Sequence, residues 1–242
     1  MSQVFNKYKI YFTSPRSLII VWEFDLSSKY IRALQVFKSQ VLSEDKDIQF
    51  ITSAFKSILI KYRLNNVNIL DKKKSVEEQL NWFKEKDLED TKSRLFKIPV
   101  CYNGFGLDLQ HISNQTKLNQ SEIIKLHTGQ VYTLYFIGFL PGFLYLGDVD
   151  KRIQMPRHQK PRPKVEKGSV GIAENQTGIY PMSSPGGWQI IGQTPVELFD
   201  VNQNPPSPFQ PGDKIQFYTI DQSEFERLNN SEISIQKFKH ND

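Results

Sequence analysis

The sequence predicts an α+β N-terminal domain followed by an all-β barrel. Three observations carry this. Within the first 83 residues apolar positions switch between strand and helix spacing. Residues 84–97 form a charged stretch without a sustained apolar face. Beyond residue 98 lie most of the 13 glycines and 13 prolines, as short strands joined by tight turns require. A length of 242 residues leaves room for two modest domains. With 38% hydrophobic and 12% aromatic residues each can pack a core, which excludes global disorder.

In the N-terminal domain, residues 1–83, Tyr8–Phe12 and Ser17–Glu23 are short and rich in β-branched and aromatic residues, with a Ser-Pro turn between them. From Ser27 to Leu42 the residues Ile31, Leu34, Phe37 and Val41 recur at helical spacing, with Ser27 or Ser28 as N-cap. Strands follow at Ile48–Ile51 and Ser57–Tyr62. Ser75, with Glu78 three residues on, then reads as a capping box opening a second helix. The order ββαββα predicts helices on one face of a small sheet.

Residues 84–97 are taken as the linker and 98–242 as the barrel. Its candidate strands are Ile98–Tyr102, Val131–Gly138, Gly168–Ala173, Gly187–Gly192, Val196–Phe199 and Lys214–Thr219. A helix is expected at Leu107–Ile112 and another, capped by Asn119 or Ser121, ends at His127. These are one or two helical insertions in a β fold.

The balance of 31 basic against 26 acidic residues gives a net charge of +5. That permits an anionic partner without demanding nucleic acid. The single cysteine, Cys101, allows no internal disulfide and fits a reducing cytosol. The N-terminus has neither the apolar run nor the cleavage site of a secretory signal. The most apolar stretch, Val131–Leu146, is broken by Gly138, Pro141 and Gly142 and is too short to span a bilayer. A cytoplasmic protein without a membrane partner is expected.

Familiar motifs fail one by one. Cys101 reads as a buried packing residue, since nothing adjacent supports a nucleophile–base pair. His111, His127, His158 and His240 are scattered, and no metal site is expected. Gly104-Phe105-Gly106 echoes a dinucleotide loop, but Leu109 stands where the third glycine belongs. Gly142 and Gly147 have phosphate-loop spacing, but Asp148 replaces the required Lys.

Residues 151–168 (KRIQMPRHQKPRPKVEKG) hold seven basic residues against Glu166 alone. One reading is a solvated loop kept extended by Pro156, Pro161 and Pro163. The other is an anion cradle in which Arg157 and Arg162 grip carboxylate or phosphate. Arg162, stiffened between two prolines and expected to be exposed, is the stronger anchor of the two. Aromatics are not interleaved with the charges, which argues against single-stranded nucleic acid. Glycines, hydroxyls and an indole between Gln176 and Trp188 suggest either a pocket wall or two hairpin turns.

Four ordered runs carry a resemblance: YFIGFLPGFLYLGDVD (135–150), MPRHQKPRPKVEKGSVGIAENQTGIYP (155–181), SPGGWQIIGQTPVELFD (184–200) and PGDKIQFYTI (211–220). IPVCYNGFGLDL (98–109) and the Leu-His pair at 126–127 add to them. Together they are similar to the KipI/PxpB family, the B subunits of 5-oxoprolinase, also described as allophanate hydrolase subunit 1. The first 83 residues resemble it only in pattern. The chain departs from the family at Gln193, where an Arg is usual, and at Glu166, where a Pro is usual.

The resemblance implies a cyclophilin-like barrel after the α+β domain. It also implies joint work with the C subunit, of the KipA/PxpC type, and with the A subunit of 5-oxoprolinase. Such a complex opens the lactam of 5-oxoproline to L-glutamate at the expense of ATP, with Mg. The implied substrate- or nucleotide-binding positions are Phe139, Pro141, Gly142, Phe143, Arg157, Arg162, Gly168, Ser169, Gln176, Thr177, Tyr180, Pro185, Gly186, Gly187, Trp188 and Thr194. No single residue presents itself as the catalyst, so a site shared with the C subunit is expected. The alternative reading is a regulatory protein that binds and inhibits a sensor histidine kinase, with Phe143 and Trp188 as anchors.

Overall fold

In the computed structural model the described residues are 7–23, 27–63, 68–83, 93–231 and 238–240. The chain divides into two compact units, 1–92 and 93–242.

In the first unit β1 (Tyr8–Ser14), β2 (Ser17–Trp22), β3 (Ile48–Ala54) and β4 (Ser57–Tyr62) form an antiparallel sheet in the order β1-β2-β4-β3. Alternation decides its buried face: Leu18, Ile20 and Trp22 of β2 and Ile58, Ile60 and Tyr62 of β4 are sealed. Helix α1 (Ser28–Glu44) lays Ile31, Leu34, Phe37 and Val41 into the unit, with the Ser27 hydroxyl accepting from the Tyr30 N–H as cap. Helix α2 (Ile69–Trp82) adds Val76 and Leu80. It begins earlier than the sequence suggested. Asn68 caps it by accepting from the Leu70 N–H at 3.1 Å, and Ser75 lies inside the helix. An Asx cap with Asp71 in the first turn suffices to start a helix there.

The second unit opens with β5 (Leu95–Val100), so Leu95–Lys97 belong to a strand rather than to a linker; residues 84–92 lie outside the described residues. After helices α3 (Leu109–Thr116) and α4 (Gln120–Thr128) come β6 (Val131–Ile137), β7 (Leu144–Gly147), β8 (Arg162–Val165), β9 (Ser169–Ala173) and β10 (Gln176–Ile179). Then follow β11 (Ser184–Gly186), β12 (Gln189–Gln193), β13 (Lys214–Thr219), α5 (Gln222–Asn229) and β14 (Lys239–His240). The main sheet runs β12-β9-β10-β7-β6-β13-β5-β14, with β13 and β5 parallel. Just past the end of β5, Cys101 and Gln193 exchange two backbone hydrogen bonds of 2.8 and 2.9 Å. This bridge joins β5 to β12 and closes the sheet on itself.

Three differences from the sequence reading have physical causes. Val196–Phe199 is not a strand: Val196 and Leu198 are buried against the core without a ladder partner. The basic segment contains β8, paired with β11 in a two-stranded ribbon. Among the described residues this unit has three α-helices, and α5, with Phe225 and Leu228 buried, has Asp221 as its cap.

The inside of the barrel is apolar, with Ile98, Leu134, Leu146, Ile172 and Phe217 among its fillers, apart from one polar chain. His127, on α4, is fully buried and stacks on Phe217 at 4.6 Å. Thr177 Oγ1 donates to the Gly171 carbonyl at 2.9 Å, so its contact with His127 Nε2 must be one it accepts. Nδ1 is then free to accept from the Tyr102 hydroxyl at 2.8 Å. Burial pushes the His127 pKa down to about 3. A folded-state value below the unfolded 6.5 gives a contribution that is present in full above pH 6.5 and lost as pH falls toward 3. Melting temperature should therefore drop on acidification through this window. His127→Phe should melt lower at pH 7.5 yet show a shallower acid slope, by about one proton taken up on unfolding. An unchanged slope in the variant would refute this assignment.

Candidate functional site

The residues with chemistry converge around Asp108. It is the N-cap residue of α3 but does not cap it through its side chain. Instead it is stitched to β12: its N–H donates to the Ile190 carbonyl at 2.8 Å, and the Ile190 N–H donates to Asp108 Oδ2 at 2.6 Å. Oδ1 faces Arg162, the first residue of β8, whose Nη2 donates to it at 2.5 Å. The arginine also reaches the Trp188 carbonyl at 3.5 Å. Asp108 is only 4% exposed, so its charge is held by a guanidinium and a backbone amide rather than by water.

The Pro-rich segment that precedes β8 is fixed at three points. Glu174 N–H bonds the Met155 carbonyl at 2.7 Å, Gln189 Nε2 bonds that of Pro156 at 2.9 Å, and the His158 N–H bonds that of Gly187 at 2.7 Å. These anchors put His158 Nε2 3.3 Å from Asp108 Oδ1, though not aligned for a hydrogen bond. The ring of His111, on α3, lies 6.3 Å from that of His158. The guanidinium of Arg157 lies over the Trp188 indole at 5.8 Å.

Beneath this lies an aromatic cluster on Phe143, with Tyr180 at 5.0 Å and Trp188 at 5.3 Å, both edge-on. Burial raises the Tyr180 phenol above its usual range, against a backbone hydrogen bond with Trp188 and the weaker pull of Arg157 and Arg162, so it stays protonated at neutral pH. A Cβ on Gly186 would collide with that hydroxyl.

Of the positions expected from sequence, Phe143, Arg157, Arg162, Tyr180, Gly186, Gly187 and Trp188 are thus brought together. Phe139 joins them at the edge, 63% exposed and 5.7 Å from Phe143. Pro141 and Pro185 are exposed. Gly142 packs against Phe199, and Gln176 is half-buried in the ladder facing Gly147 and Ala173. Thr177 belongs to the barrel interior. Ser169 is buried opposite Gln193 in the ladder. Gly168, at φ +81°, has no room for a Cβ against the Thr194 carbonyl, and the Thr194 N–H bonds the Gly168 carbonyl at 2.9 Å; this glycine is required by a backbone crossing.

Thr194 also lines a groove of about 1140 Å³ with Glu166, Lys167, Phe199, Pro205 and Phe225. That groove contains none of the Asp108–His158 cluster, and its lysine, Lys167, is paired with Glu197 at 2.6 Å.

Asp108 and His158 were not singled out from sequence. Asp108 stands two residues after Gly106, in a stretch that reads only as a failed nucleotide fingerprint, and His158 is, from sequence, one of four scattered histidines without metal-ligand spacing or an adjacent nucleophile. A basic segment that needs a buried acid to hold its arginine was the available signal, but nothing in the chain points across the 54 residues that separate Arg162 from Asp108.

The described residues do not fit a nucleotide triphosphate. Glycines 104 and 106 precede α3, but a carboxylate occupies that helix start. The Gly142–Gly147 stretch contains β7 itself and does not wrap the start of a helix. Among the described residues no group of three His, Cys, Asp or Glu side chains is placed to hold a metal ion, and no helix is long and apolar enough to cross a membrane.

A curled sheet with few helices fits a carboxyltransferase-type fold. The family model for the carboxyltransferase domain, subdomain C and D, matches residues 8–209. The chain is 46% identical over 154 residues to the 5-oxoprolinase B subunit of Bacillus subtilis (strain 168), a match that spans 63% of each chain. It is 38% identical over 192 residues to the Haemophilus influenzae protein of the same name, covering 77% of this chain and 85% of that one. The solved structure of TTHA0988 superposes with a TM-score of 0.72 at 26% identity, over 85% of this chain and 40% of that chain. The chain belongs to the family of 5-oxoprolinase B subunits, within the carboxyltransferase C and D domains.

Arg162 is half-buried and paired, where the sequence suggested an exposed, free side chain. Arg162→Ala should destabilise the chain by about 1–3 kcal/mol, because it strips the main countercharge from a buried carboxylate. Arg162→Lys should recover part of this. The check is thermal melting at pH 7.5; an unchanged midpoint in Arg162→Ala would contradict the pairing.

Proposed function

We propose that this chain is the B subunit of an ATP-dependent 5-oxoprolinase which, with the A and C subunits, opens 5-oxoproline to L-glutamate. The observation that carries the reading is the 46% identity to a protein of that name. The matched region spans less than two thirds of that relative's length, so the activity is inferred for this chain. The domain plan supports it: an α+β domain within 1–83, a connector, and a cyclophilin-like barrel over the remainder. A cytoplasmic location follows from the same reading. Kinase inhibition has no separate observation in its favour.

Lactam opening adds water to the ring carbonyl carbon and breaks its C–N bond, and the ring nitrogen leaves as an amine after taking a proton. An imidazole held beside a buried carboxylate suits this transfer. His158 turns Nε2 inward toward Asp108, which leaves Nδ1 as the atom that takes the proton from water and returns it to nitrogen. Asp108 orients the ring electrostatically, and Arg162 holds Asp108 in place through its guanidinium. Because the described residues do not fit a triphosphate, ATP and its Mg are assigned to the other subunits, and the isolated chain is inactive.

Glutamate release from 5-oxoproline with ATP should require this chain together with the A and C subunits. In that complex His158→Ala should lower kcat by a factor of about 10²–10⁴ while leaving the melting temperature within a few degrees. Turnover by the isolated chain, or turnover by the complex lacking it, would refute the reading.

A further inference from the structure

The charges around the ribbon are mostly spoken for. Arg152 pairs with Asp150, Arg162 with Asp108, Lys164 with Glu166 and Lys167 with Glu197. Of the seven basic residues between 151 and 167, only Lys151, Arg157 and Lys160 have no carboxylate partner among the described residues. Arg157 differs from the two lysines because its guanidinium rests on an indole that is 4% exposed.

We infer that Arg157, seated on Trp188, is the anion anchor of this face and that it takes a small monoanionic carboxylate rather than a nucleotide. Stacking limits the guanidinium's freedom before any ligand arrives, so less is lost on binding, and its outer N–H fork stays available for a bidentate contact. Gly187 leaves the backbone beside it bare: a Cβ there would stand 3.9 Å from Arg157 Cβ and 3.5 Å from the His158 carbonyl. His158 Nε2, a buried atom with no hydrogen-bond partner, lies in the same loop. Charge decides the ligand class. Arg157 offers one positive charge on the indole, against about four negative ones on a nucleotide triphosphate. The start of α3 cannot help, since Asp108 already places a carboxylate there. One guanidinium fork matches a single carboxylate. That the carboxylate is carried by a lactam rests on the proposed function.

The test uses the full chain, with binding measured by calorimetry for L-5-oxoproline, N-acetyl-L-alanine, the uncharged lactam 2-pyrrolidinone, and ATP with Mg. Arg157→Gln should weaken both carboxylates by about ten- to hundred-fold, leave 2-pyrrolidinone within about three-fold, and melt like the parent. Arg157→Lys should recover part of the loss, and the control Lys151→Gln should bind both carboxylates like the parent. Undiminished carboxylate affinity in Arg157→Gln would overturn the inference, as would displacement of the carboxylate by equimolar ATP or the absence of carboxylate binding to the parent chain. If N-acetyl-L-alanine binds through Arg157 while 5-oxoproline does not, the anchor stands and the 5-oxoprolinase reading falls.

Discussion

Asp108 keeps a charge at a nearly dry position, and the surrounding structure is arranged to make that tolerable. A lone carboxylate taken out of water is costly, and an ion pair repays this only when its remaining lone pairs are also satisfied. Here one oxygen meets the Arg162 guanidinium and the other meets the Ile190 amide. The first contact pulls the β8–β11 ribbon toward the start of α3, and the second locks that helix start to β12. Since the Arg157–His158 loop enters β8, the ion pair also sets where the imidazole and the free guanidinium stand.

The barrel behind this face is closed by little more than the Cys101–Gln193 bridge. Its rigidity comes from what fills it. A neutral His127, wedged between the Tyr102 hydroxyl and Thr177, ties α4 to the strand pair β9–β10, and its stacking on Phe217 ties it to β13. Fully paired buried polar groups of this kind specify one arrangement of a core, because any slip leaves a donor or acceptor unmet. The Phe143–Tyr180–Trp188 cluster sits where the chain enters β7, leaves β10 and enters β12, packed with Ala173 of β9 and Ile190 of β12, so core and site share these strands.

How much of this was legible in sequence depended on whether the signal was local. Ser57–Tyr62 and Lys214–Thr219 show β alternation with clear ends, and the structure has them at those bounds. Ser75 misled because a capping box also occurs inside helices when an earlier residue, here Asn68, has already taken the cap. Val196–Phe199 looks like a strand because it is apolar, but burial without a ladder partner leaves the same trace. The basic segment stood out from composition, with Arg157 and Arg162 marked in it and Trp188 in the glycine-rich stretch that follows. Their roles depended on partners far along the chain: Arg162 seemed free only because Asp108 is remote in sequence, and His158 gains chemical meaning only beside that carboxylate.

The account's central claim is that Asp108 and Arg162 act as one unit, and a double-mutant cycle tests it most directly. Unfolding free energies would be measured by denaturant titration for the parent, Asp108→Asn, Arg162→Gln and the double variant. A direct, half-buried ion pair predicts a coupling of about 1.5–3 kcal/mol, with the double variant no less stable than the worse single one. Additivity of the two single effects to within about 0.5 kcal/mol would contradict it, and would leave the position of His158 and Arg157 without its cause.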